Sequence, residues 1–249
     1  MPFELHPLRP VDTVSWIRTR ALAYYGPTHD VLHKVPISET SILGVAEDRK
    51  HEVGAPNVWH WKIVDTALPP SRDDPEDNGG RTIAVAVWKM MNIDSKDEEK
   101  KEEKEVTGHA SIPAEVEVKT NGPLGPRYPS FLPPELRIDA LASIFDPLDA
   151  SRDEIMGTEN TFFMLNSLAT HPDHQGRGAG NLLLNWGTEK ADDEGLVTYL
   201  DATQIARPIY EKKGFEVRRA VEWDRTKWGG EGKDVHYCMV RQPKSANKR

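Results

Sequence analysis

The sequence predicts an α/β fold, and three observations carry that prediction. Short runs rich in β-branched and aromatic residues recur along the chain, and apolar residues at helical spacing separate them. Near residue 175 a strand passes through a glycine-rich turn into a helix, and a further strand follows. With 249 residues and 37% hydrophobic content, the chain can bury a sizeable core as one enlarged domain or two small ones.

The elements are expected in the following order. Residues 3–8 suit a short strand, and Asp12 suits the N-cap of an amphipathic helix carrying Val14, Ile17, Ala21 and Tyr24. Residues 58–65 and 82–88 read as antiparallel neighbours, joined by turn formers over 69–81. Residues 94–105 hold seven acids and four lysines with no apolar side chain, and a Pro/Gly-studded run continues to 134. This reads as a solvated insertion over about 94–134. Residues 135–156 place Leu136, Ile138, Leu141, Ile144 and Phe145 at near-helical spacing, and 161–165 form an apolar run that fits a strand buried on both faces. Ala179, Leu182, Leu183 and Trp186 make the stripe of the next helix, and 197–201 the next strand. Trp59, Trp61, Trp88 and Trp186 are expected to fill the core.

Composition narrows the function. A formal charge of -8 argues against a nucleic-acid binder and favours cationic or neutral partners. One cysteine, Cys238, excludes an internal disulfide framework and a cysteine-built zinc site, which points to a reducing compartment; it is read as a packed strand residue. The amino terminus lacks a signal-like apolar region and no run is long enough to span a bilayer, so a cytoplasmic protein without membrane association is expected.

The chemistry centres on Gln175-Gly176-Arg177-Gly178-Ala179-Gly180. Glycines at a helix entry let backbone N–H groups approach an anion closely. No Gly-Lys-Ser/Thr follows, and the sixth position from Gly176 is Asn181, so neither the nucleotide P-loop nor the dinucleotide fingerprint is present. The pattern Gln175-x-x-Gly178-x-Gly180, preceded by Leu168-Ala-Thr-His-Pro172, resembles the signature of the GNAT acetyltransferases. A second element, Ala206-x-x-x-Tyr210-x-x-x-Gly214-Phe215, resembles the family's Ala-x-x-x-Tyr-x-x-x-Gly-Phe. The Ala-Thr-His-Pro stretch and the helix's Leu-Leu-x-Trp-Gly suggest a fungal-type branch.

The resemblance implies a single domain over 1–249, with one mixed, twisted sheet split at its centre by acetyl-CoA and flanked by helices. It implies CoA pyrophosphate on the N–H groups of Arg177, Gly178, Gly180 and Asn181, with Gln175, Gly176 and Ala179 in the same turn. Pantetheine would pair with the backbone of Leu168 and Thr170, the carbonyl of the acetyl group would meet an N–H near Leu168, and Thr203 stands where the family often has Asn. Tyr210 would protonate the departing thiolate. Where some relatives carry histidine on the fourth strand this chain has Asn166, so the base is left open among water relays through Asn166, Ser167 and Asp201. His171 and His174 are expected beside the phosphates rather than on a metal, and no metal is expected. The implied reaction is direct transfer of acetyl from acetyl-CoA to a primary amine, most simply a small molecule, by a monomer or homodimer. A protein lysine or N-terminal acetyltransferase and a catalytically silent CoA-binding module are the rival readings.

Overall fold

In a computed structural model that describes residues 2–93 and 130–244, seven strands form one sheet in the order β1-β2-β3-β4-β5-β7-β6. The strands are β1 Phe3–Pro7, β2 Val58–Asp65, β3 Arg81–Met91, β4 Phe162–Thr170, β5 Thr198–Thr203, β6 Glu216–Asp224 and β7 Lys233–Arg241. The helices are α1 Thr13–Ala23, α2 Pro27–Leu32, α3 Glu39–Asp48, α4 Ile138–Met156, α5 Ala179–Asp193 and α6 Arg207–Glu211. Every neighbouring pair of strands is antiparallel except β4 and β5. The predicted mixed sheet is therefore present, and its one parallel pair lies near the middle.

Alternation along the strands sends side chains to two faces. Ile83, Ala84, Trp88, Phe163, Leu165, Leu200 and Met239 pack with Leu183 and Leu184 of α5. On the opposite face, Val85, Val87 and Ala169 lie under Trp16, Ile17 and Ile42 from α1 and α3. Phe162, Met164, Tyr199, Cys238 and Val240 lie there too, under Ala140, Ile144 and Leu148 of α4. Two separate helical covers thus share one face, and a single long helix fills the other.

The four tryptophans belong to the α5 side. Trp88 stacks on Phe163 with centroids 5.0 Å apart, and Trp186 meets Trp61 at 4.8 Å and Trp59 at 6.4 Å. Cys238 is fully buried in β7, as its apolar strand context suggests.

Asp12 differs from its expected role. Residues Pro10–Asp12 form a 3₁₀ turn, and the Asp12 side chain caps nothing in α1. It is instead a buried carboxylate 2.9 Å from the Lys62 ammonium, and Arg9 also donates to it. A buried cation on β2 needs a charge partner, and that need outweighs the ordinary preference for a cap. Ser38 does take a cap position, accepting from the Ser41 N–H at the start of α3. Residues 94–129 of the expected insertion lie outside the described residues. Its end docks on α3, where the Ser130 hydroxyl donates to Asp48 and the Phe131 ring sits against Gly44.

Helix α5 seats directly on Trp88 through Gly187. A Cβ at that position would overlap the indole ring. Gly187→Ala should therefore lower unfolding free energy by about 1–3 kcal/mol, the usual cost of overpacking, despite alanine's better helix propensity. Urea denaturation of the two proteins measures the difference.

Candidate functional site

The site begins where the parallel pair stops pairing. β4 and β5 share only Phe163↔Thr198, Met164↔Tyr199 and Leu165↔Leu200, although both strands run on to Thr170 and Thr203. On the other edge of β4 the register with β3 slips, from Trp88↔Leu165 to Val87↔Ser167. Asn166 is therefore the extra residue of a bulge, and it is exposed. Bulges bend the strand that carries them, and this one lies at the first position past the last β4–β5 pair.

Beyond the bulge, alternation decides which backbone groups face the opening. The His171 N–H donates to Ile83 O on β3, at 2.8 Å. Leu168 and Thr170, an odd number of residues away, accordingly turn their backbone groups to the β5 side. Their carbonyls are reached there by side chains: the Tyr24 hydroxyl donates to Leu168 O at 3.3 Å and the Gln175 amide to Thr170 O at 3.3 Å.

The glycine-rich turn sits at the mouth of this slot. Gly176 and Gly178 have φ of 73° and 93°, a region in which a side chain is strained. Gly178 is the N-cap of α5, so the Ala179 and Gly180 amides open the helix without intrahelical acceptors. Gly180 lies close against β4, where an added Cβ would come within 3.3 Å of Thr170 Oγ1 and 3.5 Å of Leu168 Cδ2. The Asn181 amide, expected among the anion-facing donors, instead closes a turn onto Gly178 O at 3.1 Å.

The Arg177 side chain turns back toward β2. It donates to the buried Asp65 carboxylate at 2.7 Å, contacts His174 Nδ1 at 3.0 Å and covers the Phe3 ring at 4.8 Å. It fastens the turn to the end of β2. His174 is buried beside it, and burial, His171 and Arg177 all push its pKa down. Among the described residues no three His, Cys, Asp or Glu side chains gather as a metal site.

Asp201 stands just past the last β4–β5 pair, on the α4 face and opposite Cys238. It accepts from the Tyr199 hydroxyl at 2.7 Å, yet burial dominates and lifts its carboxyl to about 6. Burial likewise pushes the Cys238 thiol up to about 11, so it is a poor nucleophile. Tyr210 on α6 is nearly buried and meets Phe215 edge-on at 5.9 Å. Burial, with the nearby Tyr24 adding to it, raises the phenol and keeps it protonated. Thr203 accepts from the Ala206 N–H at 3.3 Å, so its hydroxyl shapes the turn into α6.

Tyr24 is the residue that sequence reading treated only as part of a helix stripe. At the end of α1 it reaches across to β4, bonding Ser167 Oγ at 3.2 Å as well as Leu168 O. A half-exposed Tyr-Tyr-Gly at a helix end was the available signal. The slot thus gathers Asn166, Leu168, Thr170, Gln175, Gly178, Gly180 and Asp201 around one opening, while Arg177 and Thr203 spend their side chains on the scaffold.

Residues 150–217 match the acetyltransferase (GNAT) domain family. Over these 68 of its 249 residues the chain is similar to the GNAT acetyltransferases. Its class is accordingly an acyltransferase of the N-acetyltransferase type. The match covers β4, the glycine-rich turn, α5, β5 and α6, the elements that frame the slot. Solved structures share the whole fold. Arylalkylamine N-acetyltransferase 2 from Aedes aegypti aligns with a TM-score of 0.57 at 12% identity, over 98% of this chain and 100% of that one. Drosophila melanogaster polyamine N-acetyltransferase aligns at 0.56 and 12% identity, over 96% and 99%. A "histone acetyltransferase HPA2 and related acetyltransferase" from Corynebacterium glutamicum aligns at 0.51 and 16%, over 99% of each chain. At these identities the likeness establishes the GNAT fold.

The Asp201 environment makes stability depend on pH. Its folded pKa of about 6 exceeds the ordinary 3.8, so the folded chain holds this proton more tightly than the unfolded one. That contribution is complete below about pH 4 and is lost as pH rises through about 6, a change of roughly 3 kcal/mol at 1.36 kcal/mol per unit. Asp201→Asn should remove that part of the slope. Denaturation of both proteins across this range should show the variant gaining on the native chain as pH rises.

Proposed function

We propose that the chain transfers an acetyl group from acetyl-CoA to a primary amine on a small molecule, directly and within a ternary complex. The observation that carries this reading is the divergence of β4 from β5 after Leu165 and Leu200, with the Gly178–Gly180 turn at its mouth. An extended pantetheine arm fits such a slot because Leu168 and Thr170 present strand-edge backbone to it. The pyrophosphate fits the turn because first-turn amides and the helix dipole attract an anion where Gly178 carries no side chain. Whole-chain service to one domain, a fungal-type branch and a reducing, cytoplasmic setting belong to the same reading.

Acetyl-CoA supplies the acyl group in activated thioester form. The residues then divide the remaining work. The backbone N–H near Leu168 polarises the carbonyl, and Tyr210, kept protonated by burial, donates to the departing sulfur. The Asp201 carboxyl, at about 6, is ionised at neutral pH, and with Asn166 at the bulge it accepts the amine's proton through water. Tyr24 must yield the Leu168 carbonyl to the arm, or share it.

Two outcomes test this reading. CoA and acetyl-CoA should raise the melting temperature, by ~2.7 kcal/mol of stabilisation at a hundredfold excess over Kd, whereas NADH should not. A folded Gly180→Val protein should lose that shift, since its side chain crowds Thr170 and Leu168 at the turn. Thiol release with acetyl-CoA over amines, aminoglycosides and peptides separates small-molecule from protein acceptors, and any turnover excludes a silent module.

Tyr210→Phe removes one hydroxyl and keeps the ring. Its kcat should fall by roughly 10²–10⁴ while Kd for acetyl-CoA changes little, with the defect growing as pH rises toward the thiol's pKa near ~8.5. Near-native turnover in this variant, measured by thiol release, assigns the proton to water or another group.

A further inference from the structure

The sheet face away from α5 carries a cationic cluster beside the slot. Lys89 follows Val87 by two residues, so its side chain shares the face covered by α1 and α3, and in register it opposes Met164, just before the Asn166 bulge. Arg20 lies one turn beyond Trp16 on α1, and its guanidinium sits 5.8 Å from the Tyr24 ring. Tyr24 in turn touches Ser167 and Leu168 inside the slot. Arg49 joins the group from the end of α3, and Arg20, Arg49 and Lys89 act on one another electrostatically.

Negative charge is short there. Glu52 is the carboxylate acting on this group among the described residues, and it is already ion-paired with Arg49. Asp48, which accepts from Ser130 at one oxygen at the outer end of α3, is not among the charges acting on Arg20 or Lys89. Burial pushes the Arg20 and Lys89 pKa values down, and Arg49 adds repulsion to both, so the site is strained toward accepting an anion. His60 adds a second, independent sign. It faces Val87 across the β2–β3 pair, lies against Trp16 at 4.8 Å, is 5% exposed, and has hydrogen-bond partners at neither ring nitrogen. Buried polar groups are nearly always satisfied, and His60, which senses the Lys89 charge, has a ring N–H to offer a group entering beside that lysine.

Resting on the acetyltransferase reading above, we propose that the acceptor amine also carries an anionic group, a carboxylate or a phosphate, held by Lys89 and Arg20 while the amine lies at Asn166 and Asp201. The acceptor is then dipolar, with its positive end toward the carboxylate on β5 and its negative end toward the cations under α1 and α3. This reverses the preference for cationic partners that net charge alone suggests, because the charges facing one pocket outweigh a distant total. A diamine of the same length would place a second cation against Lys89 and Arg20.

The test is acetylation of ω-amino carboxylates of graded length, against n-alkylamines and α,ω-diamines of matching lengths, with phosphoethanolamine against ethanolamine to separate phosphate from carboxylate. The anionic member of one series should exceed its neutral counterpart in kcat/KM by about ten- to a hundredfold, with the diamine lowest. Lys89→Met should bring that ratio to within about threefold of unity, whereas Lys227→Met, at an exposed lysine on the β6–β7 side, should keep the native ratio. Melting temperature and its acetyl-CoA shift verify that each variant is folded. Calorimetry of the same amines with CoA-loaded protein reads the anion preference even if turnover is slow. Preference for alkylamines or diamines overturns the inference while leaving the acetyltransferase reading intact, as does a ratio unchanged by Lys89→Met and Arg20→Met together. Absence of both the CoA shift and all turnover overturns the acetyltransferase reading and this inference with it.

Discussion

Three backbone pairs hold β4 to β5, and everything at the site depends on the pairing ending there. A parallel pair in the middle of an otherwise antiparallel sheet is joined only through a crossover, here the turn and α5, so the two strands are free to separate at their carboxyl ends. The Asn166 bulge supplies the bend. Separation leaves Leu168 and Thr170 with outward-facing backbone, and unpaired backbone inside a protein must find partners. Side chains of Tyr24 and Gln175 meet that need in part, and an extended ligand is suited to meet the rest.

The rest of the molecule works to hold that opening in place. Helix α5 is pressed onto the sheet through Gly187 over Trp88, which sets the height of its amino-terminal turn. Arg177 fastens the turn to Asp65, a buried carboxylate at the end of β2. On the far side, Arg241 makes a two-pronged contact with Asp192 at 2.8 and 2.6 Å, tying the carboxyl end of α5 to β7. The slot is thus bounded by elements whose own geometry is fixed by buried polar ties rather than by packing alone, the arrangement expected where positions must be kept within fractions of an ångström.

Much of this was legible in the residues, for physical reasons that differ between elements. The core of β4 announced itself because a strand buried on both faces is a continuous apolar run, as in Phe162–Leu165, and β2 through its β-branched and aromatic residues. Gly178 and Gly180 were legible because each lacks a side chain for a distinct cause, positive φ at one and close approach to β4 at the other. Tyr210 stood in a spaced pattern that survives any neighbours. The tie from the Arg177 side chain to Asp65 was hidden, because the partner lies 112 residues away and sequence spacing cannot reveal it. Asp12 failed for the same reason, through Lys62. The bulge at Asn166 and the cations at Arg20 and Lys89 were equally hidden, since both arise from register between strands and helices distant in the chain. β6 and β7 carry charged residues on their exposed positions, which diluted the apolar signal.

On the proposed function, the strand edge at Leu168 and Thr170 and the turn at Ala179 and Gly180 form one binding surface for CoA. Residue-resolved amide hydrogen exchange, with and without CoA, tests it most directly. The Leu168, Thr170, Ala179 and Gly180 amides should slow together on addition of CoA. Phe163 and His171 should change little, because their N–H groups already bond Val197 O and Ile83 O at 2.9 and 2.8 Å. Unchanged exchange at Leu168 and Thr170, or protection confined to another part of the sheet, would contradict the claim.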